Sequence, residues 1–347
     1  MLGGLINSLC RISLGAFPTS PKESLYALTG EPSLSERREM LTLQYYARIQ
    51  QLMPIEKPVN LDDRSLDGEY SRKSNKPIGL GFKIRSLSQS KQIQFPAIET
   101  FKGYLWCDQI QCIHNNCPKA PWNSINVKIC LALTEVSKNE RTPEMWKNEF
   151  LVHRHNSDME IYTDGSKNDD GVGAGYAILR KNKKIATAQT KLPVQATAFT
   201  AELTAIKMAL LTLKRVTNKN VTIYSDSQSS IQAIKYHKKL KLVSEIFQLL
   251  KNTKKNEVNV TICWIPGHVG IIGNEYADNE AKEATKSPCT IRKEIPYKDV
   301  KDHIKASFRK QRKIYWKNKP HEASKLRAIM PEWNSKPPNY GLKRKDK

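Results

Sequence analysis

Between residues 157 and 286 the hydrophobic pattern changes period repeatedly, and the order of those changes restricts this stretch to a sheet covered by helices. Met159, Ile161 and Thr163 alternate with Glu160, Tyr162 and Asp164, as in a half-buried strand. Gly165, Gly171, Gly173 and Gly175 follow and read as a glycine-rich hairpin turn. Residues 176–179 and 185–190 read as two further strands. Phe199, Leu203, Ile206, Leu210 and Leu213 then recur at helical spacing. A strand is expected at 221–225, helices at 227–236 and 243–250, a β-branched strand at 258–264 and a closing helix at 274–285. The order βββαβααβα predicts an α/β fold with a mixed sheet flanked by helices.

The flanks are less regular. Ser33-Leu-Ser-Glu36 has the form of a helix start, and Leu41, Tyr45 and Ile49 recur one turn apart, so residues 1–60 are expected to be helical in part. Residues 61–156 lack sustained periodicity, contain Pro118 and Pro121, and read as a connection. Residues 287–347 hold 18 basic and 6 acidic residues and read as a basic tail. Both ends are expected to be less ordered than the centre.

The tail carries about half of the whole chain's basic excess, which is +23 from 57 Lys and Arg against 34 Asp and Glu. Such a charge favours a polyanionic partner, nucleic acid first. In the tail, Arg309, Lys310, Arg312, Lys313 and Lys317 stand beside Tyr315 and Trp316, a set suited to gripping a phosphate backbone. No apolar run approaches the ~20 residues of a membrane helix, so no membrane partner is expected. The opening MLGGLINSLCRISLGAF has no basic lead and is interrupted by Arg11, and reads as neither signal peptide nor anchor. Seven cysteines argue against a disulfide scaffold. Cys107-x4-Cys112-x-His114-x2-Cys117 departs from the usual zinc spacings, and Cys263, inside a strand, reads as core.

Four acids occupy informative places. Asp164 ends the first expected strand, Glu202 lies early in the first helix, Asp226 ends the fourth strand and Asp278 lies in the last helix. Neighbouring parallel strands deliver their C-terminal ends to one sheet edge, where sites in open α/β sheets gather. Clustered carboxylates cannot all stay ionised unless cations offset their repulsion. Hard oxygen ligands select Mg²⁺ or Mn²⁺. Two such ions about 4 Å apart suit phosphodiester cleavage.

Asp164-Gly-Ser, Ala-Glu202-Leu, Ser-Asp226-Ser-Gln and Trp264-Ile-Pro-Gly-His268-x5-Asn274-Glu-x2-Asp278 occur in that order. Over 157–286 this set resembles ribonuclease H. The resemblance implies a five-stranded mixed sheet flanked by helices and endonucleolytic cleavage of the RNA strand of an RNA–DNA hybrid. It further implies that Asp164, Glu202, Asp226 and Asp278 are the catalytic acids holding two Mg²⁺ ions, with Mn²⁺ able to substitute. His268 matches a loop histidine assisting proton transfer or product departure, and Gln228 and Asn274 match residues that contact the nucleic acid. The interval between Asp226 and His268 leaves no room for the large basic protrusion of many cellular members. Lys235, Lys238, Lys239 and Lys241 are expected to replace it in part.

The flanks carry a looser resemblance. GAFPTSPKESLYALTGEPSLSERR with LQYYARI, APWNSINVKICLAL, IPYKDVKDHI and Tyr315-Trp316 resemble regions of non-LTR retrotransposon polyproteins outside the polymerase core. Residues 1–60 then match the helical region after the polymerase. No Tyr-x-Asp-Asp or Phe-x-Asp-Asp polymerase motif occurs, and Asp62-Asp63 sits in the connection. Two other readings stay open: a catalytically idle nucleic-acid-binding remnant, and another two-metal nuclease such as a transposase or resolvase.

Overall fold

The structure is a computed structural model, and it describes residues 2–50, 80–99, 128–134, 142–238, 240–288, 294–318 and 333. The chain divides into two compact units, Met1–Phe95 with Val300–Lys347, and Pro96–Asp299.

In the first unit, the described helices are α1 (Leu2–Leu14), α2 (Lys22–Thr29), α3 (Leu34–Ile49) and α4 (Leu80–Ser90). Ser33 caps α3 as expected, accepting from the Glu36 amide at 3.2 Å. The expected stripe is shifted. Leu41 and Tyr45 are exposed, and Leu43, Tyr46, Ala47 and Ile49 form the buried face. Both registers have helical spacing, and packing against α4 selects the second.

The basic tail also differs from expectation. It contains most of a long helix, α10 (Tyr297–Asn318), which buries Val300, Ile304, Phe308 and Trp316. Trp316 meets Trp333 edge to face with centroids 5.5 Å apart. The Arg312 guanidinium donates to Glu36 at 2.8 and 3.0 Å. Trp316 and Arg312 therefore serve this unit's packing and are not displayed to a phosphate backbone.

The second unit holds a six-stranded sheet in the order β1-β6-β5-β2-β3-β4. The strands are β1 (Lys128–Cys130), β2 (Met159–Asn168), β3 (Gly171–Arg180), β4 (Lys183–Leu192), β5 (Asn220–Ser225) and β6 (Asn259–Trp264). β2, β3 and β4 form an antiparallel meander. β5 lies parallel to β2, β6 to β5 and β1 to β6. The helices are α5 (Pro143–His153), α6 (Ala198–Thr212), α7 (Gln228–Lys235), α8 (Lys241–Lys255) and α9 (Ile272–Lys286). The fold is the expected mixed sheet with flanking helices, and the five expected strands are joined by a sixth.

β1 and α5 fall in the range expected to be a connection. Thr142 caps α5 and Pro143 opens it, a standard helix start. Trp146 packs edge to face on Trp264 at 6.3 Å, and Phe150 on Tyr224 at 5.4 Å. Both belong to the main core with Ile161, Leu203, Ile223 and Phe247, so this core begins upstream of residue 157.

The expected hairpin turn is present but confined to Asp169 and Asp170, and most of the glycine-rich segment is strand. β2 runs on past Asp164 to Asn168, and Gly173 and Gly175 lie inside β3. A Cβ at Gly175 would stand 2.5 Å from the Ala281 nitrogen, and one at Gly173 2.7 Å from the Ala284 Cβ. These glycines let the backbone of α9 lie directly against the sheet. Cys107, Cys112, His114, Cys117, Asp62, Asp63 and Lys239 lie outside the described residues.

Candidate active site

The strand order brings Asp164 and Asp226 together. β2 and β5 pair in parallel up to Thr163 opposite Ser225, so Asp164 and Asp226 are the next residues on adjacent strands. Asp164 pairs across β3 with Gly175, which places its side chain on the face covered by α9. Glu202 arrives from α6. A Cβ at Gly165 would overlap the Glu202 amide nitrogen and stand 2.8 Å from the Ala201 carbonyl carbon. Glycine after Asp164 is therefore what allows α6 to deliver Glu202.

One carboxylate oxygen from each of Asp164, Glu202 and Asp226 lies within 4.8 Å of the other two. Asp278, on α9, stands beside this triplet, and its charge acts on both Asp164 and Asp226. Its own Oδ2 accepts from Lys282 at 2.7 Å.

Asp226 is held from several sides. Its carbonyl accepts from Trp264 Nε1 at 2.9 Å and from the Gln228 amide at 3.1 Å. Asn274 Nδ2 donates to Asp226 Oδ2 at 3.4 Å. Asn274 is only 2% exposed, so it serves Asp226 and does not face a polymer as expected. His268 is exposed on the turn before α9, in a left-handed conformation with φ 56°, close enough for its charge to act on Asp226. Gln228 opens α7 beside the cluster. Among the lysines expected to replace the protrusion, Lys241 pairs with Glu294 at 2.7 Å, and Lys238 stands over the Phe199 ring at 5.9 Å. Sequence reasoning missed the positioning roles of Gly165 and Trp264, although both stand inside the quoted motifs.

The electrostatics are those of carboxylates that repel one another and would be relieved by cations. Burial, followed by the charges of Asp226 and Asp278, pushes the Asp164 carboxyl up to about 7. Burial, then Asp164 and Asp226, holds Glu202 well above the ordinary carboxylate range. Burial raises Asp226 as well, with the Asn274 hydrogen bond opposing it. Glu202 Oε2 is buried with no hydrogen-bond partner. An orphaned carboxylate oxygen beside two further hard oxygen donors fits a divalent cation and gives it a reason to be there. Among the described residues, no helix is long and apolar enough to cross a membrane.

Fold and site together define an α/β domain with a largely buried three-carboxylate centre able to hold a divalent metal ion. A family model for ribonuclease H matches residues 156–286. The ribonuclease H of Helicobacter pylori (strain HPAG1) is 37% identical over 145 residues, 39% of this chain and 98% of that protein. The chain therefore belongs to the ribonuclease H family, whose enzymes act on RNA–DNA hybrids and generally use divalent metal ions. The Pol polyprotein of equine infectious anemia virus (isolate 1369) is 36% identical over 135 residues, 38% of this chain. The match spans only 11% of that polyprotein's length. The solved structure of RNase H1 from the halophilic archaeon Halobacterium salinarum NRC-1 shares 19% identity, with a TM-score of 0.30, over 36% of this chain and 96% of that one.

Proposed function

We propose that this protein is a Mg²⁺-dependent endonuclease that cleaves the RNA strand of RNA–DNA hybrids. The carrying observation is the triplet of buried Asp164 and Glu202 with half-buried Asp226, with its unpartnered Glu202 oxygen and with Asp278 alongside. These four acids hold the metal. Bound as a pair, Mg²⁺ ions would supply an activated water and neutralise charge on the leaving oxygen.

The remaining work falls to the protein. In the reaction, a water oxygen bonds to phosphorus and the bond to the 3′ oxygen breaks, leaving 3′-hydroxyl and 5′-phosphate ends. His268, exposed beside Asp226, moves protons or assists product departure. Asn274 and Trp264 fix Asp226, and Gln228 contacts the nucleic acid. The RNA strand is told from DNA through its 2′-hydroxyls.

The flanking resemblances support an origin in a non-LTR retrotransposon polyprotein, with residues 1–60 derived from the region after the polymerase. The test is cleavage of labelled RNA–DNA hybrid, duplex DNA and duplex RNA, each with and without Mg²⁺. Cleavage of the hybrid alone, abolished by chelator, is expected. Hybrid binding without cleavage would favour the idle remnant, and cleavage of duplex DNA the transposase-like reading.

A further inference from the structure

A second cluster of ligating atoms lies apart from the acids. Cys130 in β1, His155 just ahead of β2 and Cys263 in β6 each contribute one atom, all within 4.8 Å of one another. Cys130 and Cys263 are opposite each other in the parallel β1–β6 pairing, so both thiols leave the sheet on one face. His155 is fixed by its backbone, whose amide donates to the Tyr224 hydroxyl at 3.2 Å. Its Nε2 is buried and has no hydrogen-bond partner. A buried ring nitrogen without a partner calls for an explanation, and an ion is one of the standard ones.

We propose that Cys130, His155 and Cys263 bind a soft metal ion, zinc(II) in the first instance, which fastens the edge strand β1 and the segment before β2 to β6. Two sulfurs and an imidazole suit zinc and disfavour Mg²⁺, so this centre and the carboxylate centre select different metals. Ligands bound to zinc stand roughly 3.3–4.0 Å apart, so atoms within 4.8 Å need only side-chain adjustment of about 1 Å. Three protein ligands leave the fourth position to water.

Protonation favours this use at the histidine and opposes it at the Cys263 thiol. Burial, then the Lys128 charge, lowers the His155 pKa and keeps the imidazole in the neutral form that ligates. Burial and the adjacent Cys130 push the Cys263 thiol up, so the thiolate forms only with the metal. Each thiol then releases its proton to water as the sulfur–metal bond forms. A groove lined by Lys128, His155, Asn156 and Ser157 opens beside the histidine and offers a path of entry. The strand gains most from the clamp: β1 has three residues and none of them is fully buried.

The test is a cobalt(II) titration of the reduced full-length chain in which Cys107, Cys112 and Cys117 are changed to serine. The same difference spectra are recorded in the wild-type background. The expected result is a thiolate-to-cobalt charge-transfer band with strong visible bands of a four-coordinate ion, displaced by zinc. Carboxylate oxygens give no such charge transfer. Cys130→Ser, a change at a half-buried edge position, should abolish the band with the circular dichroism unchanged. His155→Gln should weaken cobalt binding roughly tenfold or more. Absence of the band, or its survival in Cys130→Ser, would overturn the proposal. So would a Cys130–Cys263 disulfide formed in air by a protein that shows no cobalt band when reduced.

Discussion

Replacing Asp164 by Asn should remove activity and, in the absence of metal, stabilise the fold. The carboxyl titrates near 7 in the native protein and at its ordinary 3.8 in the unfolded chain. The native state therefore holds this proton more tightly. Its stabilising contribution is fully present below pH 3.8 and is lost as pH rises through about 7. Between those limits the ionised native state loses roughly 4 kcal/mol relative to a group with no difference, at about 1.4 kcal/mol per tenfold change in proton affinity. Asp226 and Asp278 share the repulsion, so about 1–4 kcal/mol should be recovered by the neutral isostere at pH 8.

Urea denaturation in chelator at pH 5 and pH 8 reads this directly. Wild type should be markedly weaker at pH 8 than at pH 5, and Asp164→Asn should depend less on pH and be the more stable of the two at pH 8. Excess Mg²⁺ should raise wild type by RT ln(1 + [Mg²⁺]/Kd), about 2.7 kcal/mol at a hundredfold excess over Kd, and Asp164→Asn by much less. If Asp164→Asn is the less stable protein at pH 8 in chelator, burial is not what raises this carboxyl and the reasoning fails.

Three further outcomes follow from the geometry. His268→Ala should slow hybrid cleavage about 10²–10⁴-fold and remain measurably active in a single-turnover assay, because His268 is not itself a proposed metal ligand. Gly165→Ala should cut cleavage by at least as much, since its methyl overlaps the Glu202 amide and pushes α6 off the sheet; a fully active, stable variant would contradict this. Trp146→Ala should cost roughly 3–5 kcal/mol in denaturant unfolding, the usual loss for a buried aromatic side chain.

The sequence is most informative where chemistry and periodicity coincide. Asp164 and Asp226 each follow a β-branched or aromatic run, so their strands follow from the pattern, and Glu202 follows from the spacing of its helix; that the two strands are neighbours, and so bring the two acids together, is given by the structure. Burial is harder to read. Asn274 has a polar side chain and a motif position that suggest a solvent-facing contact, but its close approach to Asp226 depends on how α9 seats against the sheet. That seating rests on Gly173 and Gly175, which in a linear reading are indistinguishable from turn residues. β1 is too short to show alternation, and its partner lies more than a hundred residues further along. α5 does carry start signals in Thr142-Pro143-Glu144, but its weakly amphipathic pattern hides that Trp146 and Phe150 are core. Cys130, His155 and Cys263 are too far apart in the chain for any spacing rule to connect them.

The two edges of the sheet are protected by different means. β4 presents Lys183 and Lys184, charges that discourage another strand from docking. β6, with Val260, Ile262 and Trp264, carries no charged residue and is shielded over half its length by β1. A fragment started at residue 157 would keep every catalytic acid yet leave the β6 backbone open as a template for strand addition. Its characteristic failure would be self-association along that edge, a concentration-dependent loss that a dilute activity assay would overlook.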